Sequence, residues 1–150
     1  MAALLSPDQF KASIKSRAIL YFPEPELRTL EPHYFICVGN TVDGELVLSC
    51  CTSQFDTVKA LIERNRYPET TLVYMPETDP DNPFRKKTYV NCNEYFPYLL
   101  SELWNLYVRG TLTLHGELPL HSFEQILIGF VDSNQIEDEL KSNLPTIDDV

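Results

Sequence analysis

Two hydroxyl-bearing residues, Thr52 and Ser53, stand between an apolar run and an amphipathic one. The preceding run, ELVLSCC at 45–51, is typical of a β-strand, and the following segment, 54–65, has apolar residues at helical spacing. The hydroxyls are therefore expected at a strand-to-helix junction. There they either cap the helix by accepting hydrogen bonds from its first amides, or act with the helix N-terminus to bind an anion.

One histidine and two groups of basic residues are further candidates for chemistry. His33 directly follows a proline, and histidine is the residue type most often used as a general acid or base. A partly exposed structural histidine is the alternative at this position. The basic side chains could contact RNA or an acidic partner, or form solvated charged surface. They are Arg64, Arg66, Arg85, Lys86 and Lys87.

The charge balance limits which partners are plausible. The 150 residues, enough for one domain with one core, carry a net charge of −10. Because phosphate neutralisation supplies most non-specific affinity for nucleic acid, this charge opposes undirected binding. The acidic excess is uneven, since six acidic residues lie between Asp132 and Val150 against Lys141 alone. A local basic face on an acidic body is therefore compatible with the composition.

The four cysteines, Cys37, Cys50, Cys51 and Cys92, lie in apolar or strand-like runs. Without a C-x-x-C pair they predict buried free thiols rather than a metal site. No phosphate-binding loop, zinc-protease or serine-hydrolase motif occurs, so neither a metal nor a cofactor is expected. With no apolar stretch near the ~20 residues of a membrane span and no signal-peptide pattern, we expect a cytoplasmic protein that does not enter a membrane.

Apolar periodicity and turn residues predict the order of the elements. Helices are expected over 6–20, 54–65 and 119–131 and from Ser133 onward, and strands over 33–38, 45–51, 70–75, 87–92 and 111–118. Asp43-Gly44 predicts a hairpin turn between the first two strands. Residues 21–32 are expected to form an extended connector, residues 95–108 mix helix and strand signals, and 143–150 read as a mobile tail.

These elements favour a mainly β fold. We expect a single domain, built as a small, partly closed antiparallel barrel with an N-terminal helix and C-terminal helices. The core of that barrel spans 31–136.

Four fragments resemble the PemK/MazF-like toxin family. They are EPHYFICVG, LVLSCCTSQ, TYVNCNEYF and GELPLHSFEQILIGFVDSNQI, and they extend from about Glu31 to about Ile136. The resemblance implies an SH3-like barrel and a ribonuclease of a toxin–antitoxin pair. By the match at CCTSQ, Thr52 helps to hold the scissile phosphate, with Ser53 beside it.

The chain departs from the family at one functional position. Where the family has Arg-Pro, with arginine as its main catalytic cation, this chain has Glu31-Pro32. A carboxylate neither stabilises a phosphorane nor donates a proton at neutral pH without a large pKa shift. The residues that could replace the arginine are Arg28, His33, Arg64 and Arg66.

Two functions therefore remain open at the level of sequence. One is a metal-independent endoribonuclease acting on single-stranded RNA, with Thr52 and Ser53 on the phosphate and His33 or Arg28 as acid or electrostatic stabiliser. The other is a non-catalytic barrel that binds protein or nucleic acid. The resemblance also implies an antitoxin-like or other protein partner and a homodimer, for which the apolar segment 95–108 is a candidate interface.

Overall fold

The computed structural model describes residues 4–27 and 31–150. In these residues the strands are β1 (Ala18–Phe22), β2 (His33–Asn40), β3 (Leu46–Thr52), β4 (Leu72–Met75), β5 (Thr88–Asn91), β6 (Phe96–Tyr98) and β7 (Thr113–Glu117). The helices are α1 (Pro7–Ser13), α2 (Phe55–Arg64), α3 (Leu100–Val108), α4 (Leu120–Asp132) and α5 (Asp138–Asn143). Two short 3-10 turns occur at Glu69–Thr71 and Ile147–Asp149.

The strands form one antiparallel sheet in which the order of the strands differs from their order along the chain. Its order is β4-β5-β3-β2-β1-β7, and β6 pairs with β3 as well. One edge of β3 pairs with β2, while its other edge pairs first with β6 at Leu46–Leu48 and then with β5 at Cys51–Thr52. The expected antiparallel sheet with added helices is confirmed, but the fold is mixed α/β rather than mainly β, because five helices in the described residues hold more of the chain than the seven strands do. The sheet is nevertheless open, with β4 and β7 at its ends, so the described residues do not form a closed barrel.

Side chains alternate across the sheet and supply two hydrophobic clusters. Ile19 pairs with Ile36 and belongs to the cluster under α4, whereas the neighbouring pair of Leu20 and Phe35 belongs to the cluster under α1 and α3. In the first cluster, α4 lies unusually close to the chain below it. A Cβ at Gly129 would stand 2.7 Å from Cys92 Sγ and 2.9 Å from the Thr70 carbonyl oxygen, so only glycine allows this approach.

The predicted N-terminal helix is wrong beyond Ser13. Ser6 caps α1 with the expected capping box, but the chain turns at Arg17, which adopts a φ of 81°, and enters β1. The Arg17 amide donates to the Cys37 carbonyl oxygen at 2.9 Å. Because Ala18–Phe22 is buried and rich in β-forming side chains, its pairing with β2 outweighs the helical spacing that continues through the same residues.

Most other elements lie close to their expected positions. The hairpin of β2 and β3 is confirmed, and segment 95–108 contains both β6 and α3. The final helix is shorter than expected, and the C-terminal residues Ile147 and Val150 pack against the cluster under α4. None of the helices in the described part of the chain has the length and apolar character needed to cross a bilayer.

Candidate functional site

The hairpin register brings the start of β2 to the end of β3. Phe35 pairs with Cys50 and Ile36 with Ser49. Continuing that register by two residues places His33 across from Thr52. Antiparallel pairing therefore explains why two candidate residues 19 positions apart in the chain meet at one edge of the sheet.

A cleft of about 180 Å³ opens at this edge. Of the candidate residues, His33, Thr52, Ser53 and Lys86 line it. Tyr21, Glu31 and Tyr34 line it as well. The cleft thus combines two hydroxyls, an imidazole, an ammonium group, a carboxylate and two phenol rings.

Thr52 and Ser53 do not cap α2 in the expected way. The N-cap residue of α2 is Gln54, which makes no side-chain capping bond. Thr52 Oγ1 instead accepts a hydrogen bond from the Gln54 amide at 3.1 Å, one residue before the helix. Ser53 is exposed, and its carbonyl oxygen accepts from the Phe55 amide at 3.1 Å. The two hydroxyl residues therefore shape the turn that enters the helix.

The His33 ring is oriented by the backbone beside it. Its Nδ1 lies 3.0 Å from the Glu31 carbonyl oxygen. Because a carbonyl oxygen only accepts, Nδ1 carries the proton in this bond. Nε2 is then the ring nitrogen that can exchange a proton with a ligand.

A buried asparagine holds the loop that carries Lys86. Asn82 is 6 % exposed, and its Nδ2 lies 2.8 Å from the Lys86 carbonyl oxygen and 3.1 Å from that of Met75. Its Oδ1 accepts from the Phe84 amide at 2.8 Å. These bonds tie the loop to the end of β4 and fix the backbone of Lys86 beside the cleft.

An aromatic wall that the sequence did not indicate borders the cleft. The Tyr21 and Tyr34 rings lie 4.5 Å apart, and Tyr34 contacts Phe84 at 4.9 Å. His115 meets Tyr34 edge-on at 5.2 Å, and its Nε2 lies 2.8 Å from Thr113 Oγ1. The signal for this wall is the cross-strand pairing of Tyr21 with Tyr34. The sequence pattern places Tyr21 in an irregular connector, whereas the structure places it in β1.

The remaining candidate residues do not converge on the cleft. Arg28 lies outside the described residues. Arg64 and Arg66 are exposed at the C-terminal end of α2, a helix length of about 15 Å away from Ser53. Arg85 adopts a φ of 57° in the same loop as Lys86. Lys87 lies near Tyr89 rather than in the lining of the cleft, and its positive charge opposes the rise that burial causes in the pKa of Tyr89.

The cysteine thiols are poor nucleophiles in this fold. Burial raises the pKa of Cys37 to about 12, and burial followed by the charges of Glu94 and Glu24 raises the pKa of Cys50 to about 12. Burial also raises the pKa of Cys51 and of Cys92. Thiolates, which are the reactive form, are therefore scarce at neutral pH. In residues 4–27 and 31–150, no three His, Cys, Asp or Glu side chains lie close enough together to hold a metal ion.

A larger groove of about 790 Å³ lies between the end of β1 and α3. Glu24, Glu26 and Glu102 line it, with Arg109 as its basic residue. Glu24 is 7 % exposed and accepts a hydrogen bond from the Tyr98 hydroxyl at 2.5 Å. This surface is acidic and shares no residue with the cleft at the end of β3.

Comparisons with family models, with curated proteins and with solved structures give no match for this chain.

Proposed function

We propose that the cleft at the end of β3 binds single-stranded RNA and cleaves it without a metal, as a divergent PemK/MazF-like endoribonuclease. The observation that supports this proposal is the meeting of His33, Thr52, Ser53 and Lys86 around one small cleft. The SH3-like barrel belongs to the same proposal. It is supported by β3, which pairs with two strands in succession along one edge, as expected of a bent strand shared by two small sheets.

In the proposed reaction, the ribose 2′-oxygen attacks the adjacent phosphorus and displaces the 5′-oxygen of the next nucleotide. Glu31 accepts the 2′ proton, and the imidazolium of His33 donates a proton from Nε2 to the leaving oxygen. Thr52, Ser53 and Lys86 hold the phosphate and stabilise its added negative charge. The products are a 2′,3′-cyclic phosphate and a 5′-hydroxyl.

Under this proposal, Glu31 has a different role from the arginine that the family carries there. A carboxylate is a competent base for a hydroxyl proton, whereas the cationic role passes to Lys86. Both side chains line the cleft, as His33 does. The substitution of Glu for Arg then changes the division of tasks rather than removing the chemistry.

One observation favours a second function, a non-catalytic RNA-binding or protein-binding module. The Thr52 hydroxyl already accepts from the Gln54 amide, which gives it a structural role independent of any ligand. In a binding module, the cleft would hold a phosphate or an acidic side chain without proton transfer. An RNA-binding module differs from the endoribonuclease in leaving the bound RNA intact, and a protein-binding module differs from it in the ligand as well.

The test is incubation of the purified chain with a long single-stranded RNA in the presence of a chelator. His33→Ala and Thr52→Ala are compared with His121→Ala, an exposed histidine on α4 that serves as the matched control. We expect cleavage by the wild type and by His121→Ala, with cyclic phosphate ends, and its loss in the other two variants. RNA binding without cleavage would establish the module. Folded protein, free of copurifying partners, that neither binds nor cleaves RNA would refute both RNA functions.

A further inference from the structure

Three aromatic rings stack in a row on the part of the sheet next to the cleft. The Tyr89 ring lies 4.9 Å from Tyr74 at an interplanar angle of 15°, and 4.9 Å from Phe55 at 36°. Tyr89 is only 6 % exposed, whereas Tyr74 is 45 % and Phe55 is 37 % exposed. We call these three residues the aromatic stack. Its middle ring is covered, and its two outer rings remain accessible to solvent.

The strand register connects the aromatic stack to the cleft. Tyr74 pairs with Tyr89 across β4 and β5, and Tyr89 pairs with Thr52 across β5 and β3. Thr52 lines the cleft. A single cross-strand row therefore leads from Thr52 at the cleft to β4, the end strand of the sheet.

Two lysines lie near the aromatic stack, and one of them, Lys59, also stands 3.9 Å from the Glu63 carboxylate. Lys59 Nζ stands 5.3 Å from the centre of the Phe55 ring. Burial raises the pKa of the Tyr89 hydroxyl. The positive charge of Lys87 lowers that pKa, and the negative charge of Asp56 raises it. Residues 52–91 hold six of the 12 basic residues but only six of the 22 acidic ones, so this region escapes the negative charge of the rest of the chain.

From these observations we propose that the outer rings of the aromatic stack, Tyr74 above all, bind bases of the single-stranded RNA whose phosphate lies in the cleft. The inference rests on the proposed function and adds to it a binding track with a direction, from β3 across β5 to β4. Among the described residues, the ring contact of Tyr74 is with Tyr89, so its other face can receive a base. Stacking accepts any base, and flanking lysines neutralise the backbone that carries it.

The first experiment measures binding of a 2′-O-methyl single-stranded RNA of about 12 nucleotides by fluorescence anisotropy. This probe lacks the attacking hydroxyl, so binding is observed without cleavage. Tyr74→Leu keeps an apolar contact with Tyr89 but removes the aromatic face, and we expect its affinity to fall roughly five- to a hundred-fold. Tyr74→Phe should bind like the wild type. Ile128→Ala, which changes an exposed apolar residue on α4, is the control and should also bind normally.

A second measurement separates this inference from the proposed function. We expect the loss of cleavage rate in Tyr74→Leu to be larger on long RNA than on a dinucleotide, because only the long chain extends from the cleft across β5 to β4. Equal binding of the probe by wild type and Tyr74→Leu would overturn the aromatic track and leave the cleft function intact. Loss of binding in Lys59→Ala but not in Tyr74→Leu would also overturn it, because charge alone would then account for the affinity. A wild type that neither binds the probe nor cleaves RNA would overturn both.

Discussion

The cleft at the end of β3 and the groove beside α3 differ in size and in charge. The groove has the greater volume, whereas the cleft has the less acidic lining. The groove is the larger, at about 790 Å³ against about 180 Å³. Three glutamates line it, however, and a phosphate entering there would meet repulsion. The smaller cleft has one carboxylate, that of Glu31, beside the Lys86 ammonium group, the His33 imidazole and two hydroxyls. For an anionic substrate, the chemistry of the lining therefore outweighs the volume of the cavity.

The two regions also use their buried polar groups differently. In the groove, Glu24 is satisfied inside the protein by Tyr98 and by the Glu26 amide, which makes it part of the structure. Behind the cleft, the buried side chain of Asn82 donates a hydrogen bond to the Lys86 carbonyl oxygen and so holds the backbone of that residue. Groups that could meet a ligand, such as Ser53 and Lys86, are exposed. Substitutions in the groove should therefore affect stability, and substitutions in the cleft should affect function.

The largest expected effect is on cleavage by His33→Ala. Removing a general acid costs about 100-fold or more in rate, so initial rates on long RNA should fall by at least that factor. Glu102→Ala, in the groove, should keep the wild-type rate. Equal losses in both variants would show that the comparison between the two regions is wrong.

The next effect is on stability, from Tyr98→Phe. The nearly buried Glu24 carboxylate would lose a hydrogen-bond donor, and the free energy of unfolding should fall by about 1–3 kcal/mol in denaturant titrations at pH 7. RNA binding should be unchanged. A variant as stable as the wild type would mean that water replaces the lost donor and that the groove is not structural.

The same residue gives a pH dependence of known sign. Burial and then the hydrogen bond to Glu24 raise the pKa of Tyr98 above its usual value near 10. Because the folded pKa is the higher one, the stability that Tyr98 contributes is complete below about pH 10 and is lost as the pH rises. Between pH 9 and pH 11, the unfolding free energy of Tyr98→Phe should therefore fall less than that of the wild type.

A charge exchange between the two regions should have a smaller effect on binding. Lys86→Glu gives the cleft the character of the groove, and we expect RNA affinity to fall about tenfold, equivalent to about 1.4 kcal/mol. Glu102→Lys makes the opposite change in the groove and should leave affinity near the wild-type value. If Glu102→Lys gained RNA affinity while Lys86→Glu lost none, the binding site would have to be placed in the groove.

The smallest effect is on salt dependence. Each cation that neutralises a phosphate of a single strand adds about 0.7 to the slope of log affinity against log salt concentration. Lys86→Ala should reduce the slope by about that amount, whereas Lys141→Ala, in the acidic C-terminal segment, should not. Unchanged slopes in both would remove Lys86 from the phosphate contacts.

The β2–β3 hairpin, and with it the approach of His33 to Thr52, could be predicted from the sequence, but strand β1 could not. Asp43-Gly44 and the flanking alternation indicate β2 and β3, and their register then brings His33 to Thr52. For residues 14–20, helical spacing and β-propensity compete, and the left-handed conformation of Arg17 decides between them. Arg17 is stabilised there by distant contacts, since its Nε donates to the Leu118 carbonyl oxygen at 2.8 Å. No local pattern records such a contact.

The rest of the site depends on contacts of the same long-range kind. Lys86 was recognised as a basic residue, but its place at the cleft follows from the bonds that Asn82 makes with two segments of chain. The Tyr21–Tyr34 wall depends on β1, which the sequence does not predict, and the aromatic stack depends on the pairing of β4 with β5 and on the contact of α2 with β5. Thr52 and Ser53 were identified by their position at a strand end. Their roles, like that of His33, stay predictions until the variants are measured.

The double pairing of β3 has a consequence for how the molecule opens. Amide hydrogens of β3 are protected by β2 on one edge and by β6 and β5 on the other, whereas β4 and β7 each leave one edge unpaired within the sheet. In native-state hydrogen exchange, β3 should therefore exchange among the slowest segments and the two end strands earlier. The hydroxyls of the cleft are thus anchored to a part of the protein that opens last. Under the proposed function, a movement that admits RNA would therefore involve the other segments that line the cleft rather than β3.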